Sequence, residues 1–358
     1  MVENLKANGG LGNFKHFASE FQDEDVAQLL LRKNVYPYTY MNDESRFEET
    51  RLPAKEAFYS EVKKSHISDA DYEHACTVFN TLAISTIGEY SDVYLKTDVL
   101  LLCDIFENSR QVCHRDYTLD PCNFYSAPGL SWAAMLRMTR VELELITDVD
   151  DLLFWERGIR GGISQISHRH AEANNPYLTS YDMTEPTSYI SFWDCNNLYG
   201  WACMQKLPIR NFRNLNEVEV LQFDVMQVDD DSTKGYLIEV SLEYPEYLHD
   251  EHNCLPLCPS KSHIEDDELS PYAAETWREL RGKTKRPKGE KLLCTLEDKE
   301  RCVLHYRNLK LYLQLGMRIK QLHRVLEFDQ EAWLKPYIDF NTRKRAEANT
   351  EFEGLFLN

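Results

Sequence analysis

Asp194 follows a run, Tyr189-Ile190-Ser191-Phe192-Trp193, that is rich in β-favouring side chains. A carboxylate at the end of a buried strand can offer its oxygens to a divalent cation beside a cleft. Tyr199, a little further on, can lie flat beside whatever that cation holds. Asp194 can equally cap the helix that Leu198 to Met204 would start, and spacing alone leaves both readings open. Asn196, Asn197 and Gly200 turn the chain between the two.

Two further groups bear on chemistry. Tyr94 and Asp98 stand one helical turn apart and share a face. Gly158-Ile159-Arg160-Gly161-Gly162 carries paired glycines, which let the backbone turn sharply or approach a ligand closely. Asp229-Asp230-Asp231-Ser232 could hold a metal, but an Asp/Ser run before a strand is ordinary turn chemistry. His249, His252, Cys254, Cys258 and His263 could supply zinc ligands, yet Pro256 and Pro259 stiffen that loop. The ten cysteines are scattered at long spacings, which favours free thiols in a reducing compartment.

The elements that must position these residues come in chain order. Met1 to Asn13 reads as a start with little order. Ser68 with Asp71 predicts the start of a helix through Cys76 and Phe79. From Tyr94, apolar residues Leu95, Val99, Leu102, Cys103 and Phe106 recur at helical spacing and predict an amphipathic helix with that face inward. Pro128-Gly129 breaks the chain before a helix over 130–140. Tyr236, Ile238, Val240 and Leu242 alternate as a strand. Residues 299–315 read as a helix with Val303, Tyr306, Leu309 and Leu313 inward, ended by Gly316. A strand over 319–328 and a helix over 333–348 follow.

At 358 residues and 43% hydrophobic content the chain can bury substantial cores in two or more subdomains. No apolar run is long enough to span a bilayer, so no membrane partner is expected. The formal net charge of −19 argues against nucleic acid only on average. Residues 224–268 are strongly acidic, whereas Arg301 to Arg345 is basic, and local fields decide where a polyanion docks. The short basic loop from Arg281 to Lys291 is either a phosphate contact or a solvated turn.

Asp194-Cys195-Asn196-Asn197-Leu198-Tyr199-Gly200 resembles motif A of family B DNA polymerases in the form used by the protein-primed branch, also found in organelles and viruses. The chain looks most like the polymerases of Polinton/Maverick-type mobile elements. The resemblance implies an α/β fold: part of a ribonuclease-H-like exonuclease domain, then an incomplete polymerase palm and the base of the fingers. Its divisions would be exonuclease-like (1–125), linker (126–187), palm motif A (188–206), an insertion resembling a terminal-protein region (207–290) and the palm/fingers start (291–358).

The implied activity is DNA-templated nucleotidyl transfer with two Mg2+ ions, a DNA template-primer, deoxynucleoside triphosphates and a priming terminal protein. Asp194 would hold metal by its side chain and Cys195 by its carbonyl oxygen, and Tyr199 would pack under the sugar. Arg345, with Lys344 and Arg343, would meet the triphosphate. Arg160, Gly161 and Gly162 would touch template, and Tyr94 and Asp98 would be an exonuclease remnant. The motif B lysine and motif C have no counterpart, so the chain reads as partial and inactive alone. A non-catalytic DNA-binding remnant and a metal-dependent nuclease are the competing functions. The setting implied is intracellular, the nucleus or wherever such an element replicates.

Overall fold

The computed structural model describes residues 2–7, 9–168, 170–282 and 289–347, apart from the side chains of Asn4 and Arg281. Most of the basic loop 281–291 and the tail 348–358 lie outside the described residues. The chain divides into two units, residues 1–140 with 336–358, and residues 141–335.

The first unit is helical. It holds α1 (Val2–Ala7), α2 (Lys15–Glu20), α3 (Glu24–Leu30), α4 (Asp69–Thr81), α5 (Ile87–Tyr117), α6 (Ala127–Thr139) and the later helix Lys335–Glu347. Among its described residues the only β pairing is the isolated bridge Ser60–Ser65. The part of an exonuclease-like domain expected over 1–125 is thus built of helices in its described residues. Side-chain caps account for the helices. Asp23, Ser68, Thr86 and Ser126 each accept an N–H from the first turn of the helix that follows. Pro128 lies in that first turn of α6, where its missing N–H costs nothing, so the helix opens before Leu130 rather than after a break. The first residues, expected to lack order, form α1.

Helix α5 turns the opposite face inward from the one its periodicity suggested. Tyr90, Thr97, Leu101 and Asp104 are buried, whereas Leu95, Val99, Leu102 and Phe106 are exposed. Periodicity gives two stripes and does not say which meets a neighbour; Asp104 decides it. Its carboxylate accepts the backbone N–H groups of His16 (3.0 Å) and Phe17 (2.9 Å), and lies 2.7 Å from His16 Nδ1. Phe14, at the N-cap of α2, has no side-chain oxygen to do this. Asp104→Ala is expected to cost about 3 kcal/mol, because buried donors lose their acceptor. Asp104→Asn, which keeps one oxygen, should cost clearly less; denaturant midpoints of the two variants check this.

The second unit holds α7 (Val149–Gly158), α8 (Leu198–Cys203), α9 (Glu217–Gln222), α10 (His249–His252), α11 (Pro271–Arg281) and α12 (Tyr306–Gln314). The helix Lys335–Glu347 is α13. The strands are β1 (Leu207–Asn214), β2 (Lys234–Glu243), β3 (Ser260–Ser262), β4 (Lys291–Leu293), β5 (Lys299–His305) and β6 (Arg318–Glu331). Four of them make an antiparallel sheet in the order β1-β6-β2-β5, and β3 pairs with β4.

β2 alternates as expected. Ile238, Val240 and Leu242 join Cys302, Leu304, Tyr306, Leu309 and Val325 in a core on one face. Leu237, Val303, Leu326 and Phe328 pack with Phe154 of α7 on the other. Residues 299–305, expected in a helix, are strand β5, and only 306–314 are helical. Cys302, Val303 and Leu304 are all buried because successive strand side chains enter both cores. Edge strand β1 carries Pro208 and two register shifts, which blunt it against further pairing. Among the described residues no helix is long and apolar enough to cross a membrane.

Candidate functional site

Residues 186–195 have no regular structure. Ile190, Phe192 and Trp193 were expected in a buried strand that Asp194 would end. They are exposed instead, Phe192 at 93% and Trp193 at 89%. β propensity needs a ladder partner to become a strand, and no strand of the sheet β1-β6-β2-β5 pairs with this segment. The loop before it is built firmly. Asn174 exchanges hydrogen bonds with Asp182, and the Ser188 N–H returns to the Asn174 carbonyl at 2.8 Å. Asn175 donates to the Ser188 carbonyl at 3.0 Å.

The turn and helix after Asp194 form as expected. Asn197 takes the left-handed conformation (φ 53°) and begins α8. Gly200 lets the Asn197 side chain lie close, since a Cβ there would fall 2.4 Å from Asn197 Nδ2 and push that exposed amide aside. Tyr199 is 90% exposed, and Asp194 and Cys195 are exposed. The Asp194 carboxylate has no hydrogen bond or ion pair among the described residues. No group of three or more His, Cys, Asp or Glu placed to hold a metal occurs among them either. Magnesium needs near-octahedral oxygen ligands, and a two-metal site needs carboxylates shared by both ions. One carboxylate and the Cys195 carbonyl do not fit a two-magnesium centre.

The acidic loop is no substitute. The Lys206 Nζ lies 2.8 Å from the Asp231 carboxylate, and the Lys310 Nζ lies 2.6 Å from that of Asp230. The Lys310 ammonium holds the Asp230 carboxyl below its ordinary range. Asp229 is tied to the backbone of Asp231. The zinc set disperses as well: His252 bonds the Tyr244 hydroxyl (2.9 Å), His263 faces Glu290, and Cys258 lies in the sheet core.

Tyr94 belongs to an aromatic cluster. Its hydroxyl meets that of Tyr38 at 2.6 Å and its ring stacks on Tyr36, and burial first, then this hydrogen bond, pushes its phenol up. Asp98 is exposed. Arg160 is spent within the protein. It donates to the carbonyls of Pro259 (2.9 Å), Val303 (2.5 Å) and Gly158 (3.3 Å), while Gly161 and Gly162 are exposed.

In the first unit, α13 is held by Tyr117, which donates to Asn341 at 2.5 Å, and by Lys344, 3.5 Å from Asp116. Arg343 and Arg345 are exposed, with no ion pair among the described residues. The remaining basic excess of 301–345 is largely neutralised in place. Arg301 pairs with Glu239, Lys310 with Asp230, Lys320 with Asp298 and Glu300, and Arg324 with Asp151.

Sequence reasoning missed the pairing that defines the polar half of the sheet. Glu239 is almost fully buried between Arg157 (2.8 Å) and Arg301 (3.0 Å). The one available signal was its place in β2, opposite in facing to Ile238 and Val240. A cleft of about 570 Å³ opens beside it, lined in part by Arg157, Arg324, Lys261 and Phe154.

No family model and no curated protein matches this chain. Among solved structures, Phi29 DNA polymerase in an orthorhombic crystal form is similar, at 14% identity and a TM-score of 0.41. That alignment covers 91% of this chain and 46% of the polymerase, so this chain spans under half its length. A likeness of that degree carries no argument about the site.

Proposed function

We propose that the chain is part of a protein-primed family B DNA polymerase similar to those of Polinton/Maverick-type elements. The observation that supports the reading most is the turn at 194–203. It leaves the Asp194 carboxylate and the Tyr199 ring exposed to solvent beside a helix start. In this reading the Tyr199 ring offers a flat face to a nucleotide sugar. Arg343 and Arg345 offer guanidinium groups to phosphate, and Lys344 positions α13 through Asp116 rather than binding ligand. Template-primer DNA, deoxynucleoside triphosphates and a priming protein are the proposed partners. Because the residues present do not fit a two-magnesium centre, no metal step is assigned to them.

Primer extension by purified residues 1–358 is expected to be undetectable. Extension lost on both Asp194→Asn and Asp231→Asn would overturn this, since it would place the acidic loop at the site.

A second reading, DNA binding without catalysis, is favoured by the solitary Asp194. Both readings predict weak, salt-sensitive binding of primer–template duplex. The double variant Arg343→Glu/Arg345→Glu should lower the log–log salt slope by about two and the affinity at least about tenfold in low salt. Fluorescence anisotropy of a labelled duplex measures both. An unchanged slope would move the footprint away from α13.

A further inference from the structure

Four tyrosines meet in the first unit, where the loop after α3 crosses α5. The Tyr90 hydroxyl donates to the Val35 carbonyl at 2.7 Å. The Tyr36 hydroxyl lies 2.8 Å from that of Ser91, and the Tyr38 hydroxyl lies 2.6 Å from that of Tyr94. Three successive contacts thus hold this loop along one turn of α5. The rings pack as closely as the hydroxyls. Tyr36 stacks on Tyr94 with ring centres 4.9 Å apart and meets Tyr38 edge-on at 5.2 Å. Tyr38 and Tyr94 meet edge to face, at 6.1 Å and 86°.

Six tyrosine pairs have ring contacts among the described residues, and of these Tyr38 with Tyr94 alone joins hydroxyl to hydroxyl. In the other five a hydroxyl is turned to a different group: Tyr36 to Ser91, Tyr90 to Val35, Tyr117 to Asn341 and Tyr236 to Glu327. The distinction matters for one-electron chemistry. A tyrosyl radical carries much of its unpaired spin on the oxygen and on the carbons that flank the oxygen-bearing carbon. Rings that meet at their hydroxyl ends bring those carbons side by side, whereas rings with hydroxyls turned apart do not. Access favours the same pair. Tyr38 is 67% exposed, so an oxidant in solution reaches it, while Tyr90 is buried.

We propose that Tyr38 and Tyr94 are an oxidative modification site, where two equivalents of a one-electron oxidant, such as a high-valent metal complex, join the rings as a dityrosine. The first equivalent takes an electron from Tyr38, whose phenolic proton passes to solvent. The second takes an electron from Tyr94, whose proton leaves for solvent as well. The two radicals couple through one flanking carbon of each ring. The hydrogen on each joined carbon then moves to its own phenolic oxygen, which restores both aromatic rings. Two phenols lose two electrons and two protons, one carbon–carbon bond forms, and each equivalent of oxidant gains one electron. Contact in the folded chain replaces a chance encounter of two rings with a reaction inside one molecule. The product ties the loop after α3 to α5 by a bond that thiol reductants do not open. This inference does not depend on the polymerase reading.

The test oxidises the full chain, dilute and at pH 7, with ruthenium tris-bipyridine brought to its trivalent state by light and persulfate. The chain is then digested and its linked peptides are read by mass spectrometry. The expected result is a Tyr38–Tyr94 link, lighter by two hydrogens than the separate peptides and resistant to dithiothreitol. It should be at least about tenfold more abundant than any other tyrosine pair within the chain. In urea that unfolds the chain the preference should vanish, because contact creates it. Tyr38→Phe should abolish the link, whereas Tyr36→Phe, which keeps the stacked ring and removes only the hydroxyl facing Ser91, should leave it. Dityrosine spread over exposed Tyr125, Tyr177 and Tyr199 with no Tyr38–Tyr94 link would overturn the proposal. So would a link equally abundant in the folded and the unfolded chain. Both of those readouts use the unaltered chain, so a variant that fails to fold leaves the test intact.

Discussion

Phe328→Ala should lower the stability of the 141–335 unit by about 3–5 kcal/mol, the range for removing a fully buried aromatic ring. The ring is fully buried on β6, an interior strand, and packs with Trp155 at 5.4 Å and Phe212 at 6.2 Å between ring centres. It also lies against the backbone of β2. A Cβ added at Gly235 would fall 2.2 Å from Phe328 Cε2 and 2.6 Å from Gln330 Oε1. Gly235→Ala should therefore destabilise from the opposite direction, by overpacking, at about 1–3 kcal/mol. The two changes share one volume, so the double variant should cost less than their sum. Urea midpoints of the single and double variants measure this, and strict additivity would show that ring and glycine do not compete.

The second large effect is acid sensitivity seated at His305. This histidine precedes α12, its ring lies 4.6 Å from that of Tyr306, and burial first, then the Arg307 charge, pushes its pKa down to about 4. The helix N-terminus also disfavours a cation there. In the unfolded chain the imidazole takes a proton near pH 6.5, while in the folded chain it stays neutral until about pH 4. Stability from this group is therefore complete above about pH 6.5 and lost as pH falls through that window. At most about 3 kcal/mol is involved, less where solvent reaches the half-buried ring. His305→Phe should flatten the pH dependence of the unfolding midpoint between pH 6.5 and 4 relative to the unaltered chain. Parallel curves for the two proteins would reject the assignment.

What the sequence made legible follows from the range over which each signal acts. Ser68 and Asp71 set the start of α4 through a contact three residues long. The alternation from Tyr236 to Leu242 marked β2 because both neighbours of that strand are present. The helix after Asn197 and the strand over 319–328 were equally local. Three readings failed where a partner decides the outcome. Ile190 to Trp193 has strand composition and no ladder. Leu95 to Phe106 has helical spacing and faces solvent. Cys302 to Leu304 is an apolar run that serves strand or helix, and pairing with β2 made it strand.

The candidate site shows the same division. Asp194, Tyr199, Arg343 and Arg345 were found by resemblance to a family pattern, and they are exposed. The groups that the fold brings together, Glu239 with Arg157 and Arg301, and Arg160 with the Pro259 and Val303 carbonyls, are separated by tens to more than a hundred residues. No local pattern announces them.

The nesting of the two units sets the order in which the chain can be completed during synthesis. β1 places Leu207 opposite Glu331, so its partner strand is made more than a hundred residues later. The helical unit waits longer still, since its α13 follows the whole of the inserted unit. Contacts of such long separation form slowly. A growing chain thus carries an unpaired β1 until β6 emerges, while β2 waits a shorter time for β5. Over that interval an unpaired strand edge stays open to other chains, which is the hazard that slow, long-range pairing carries.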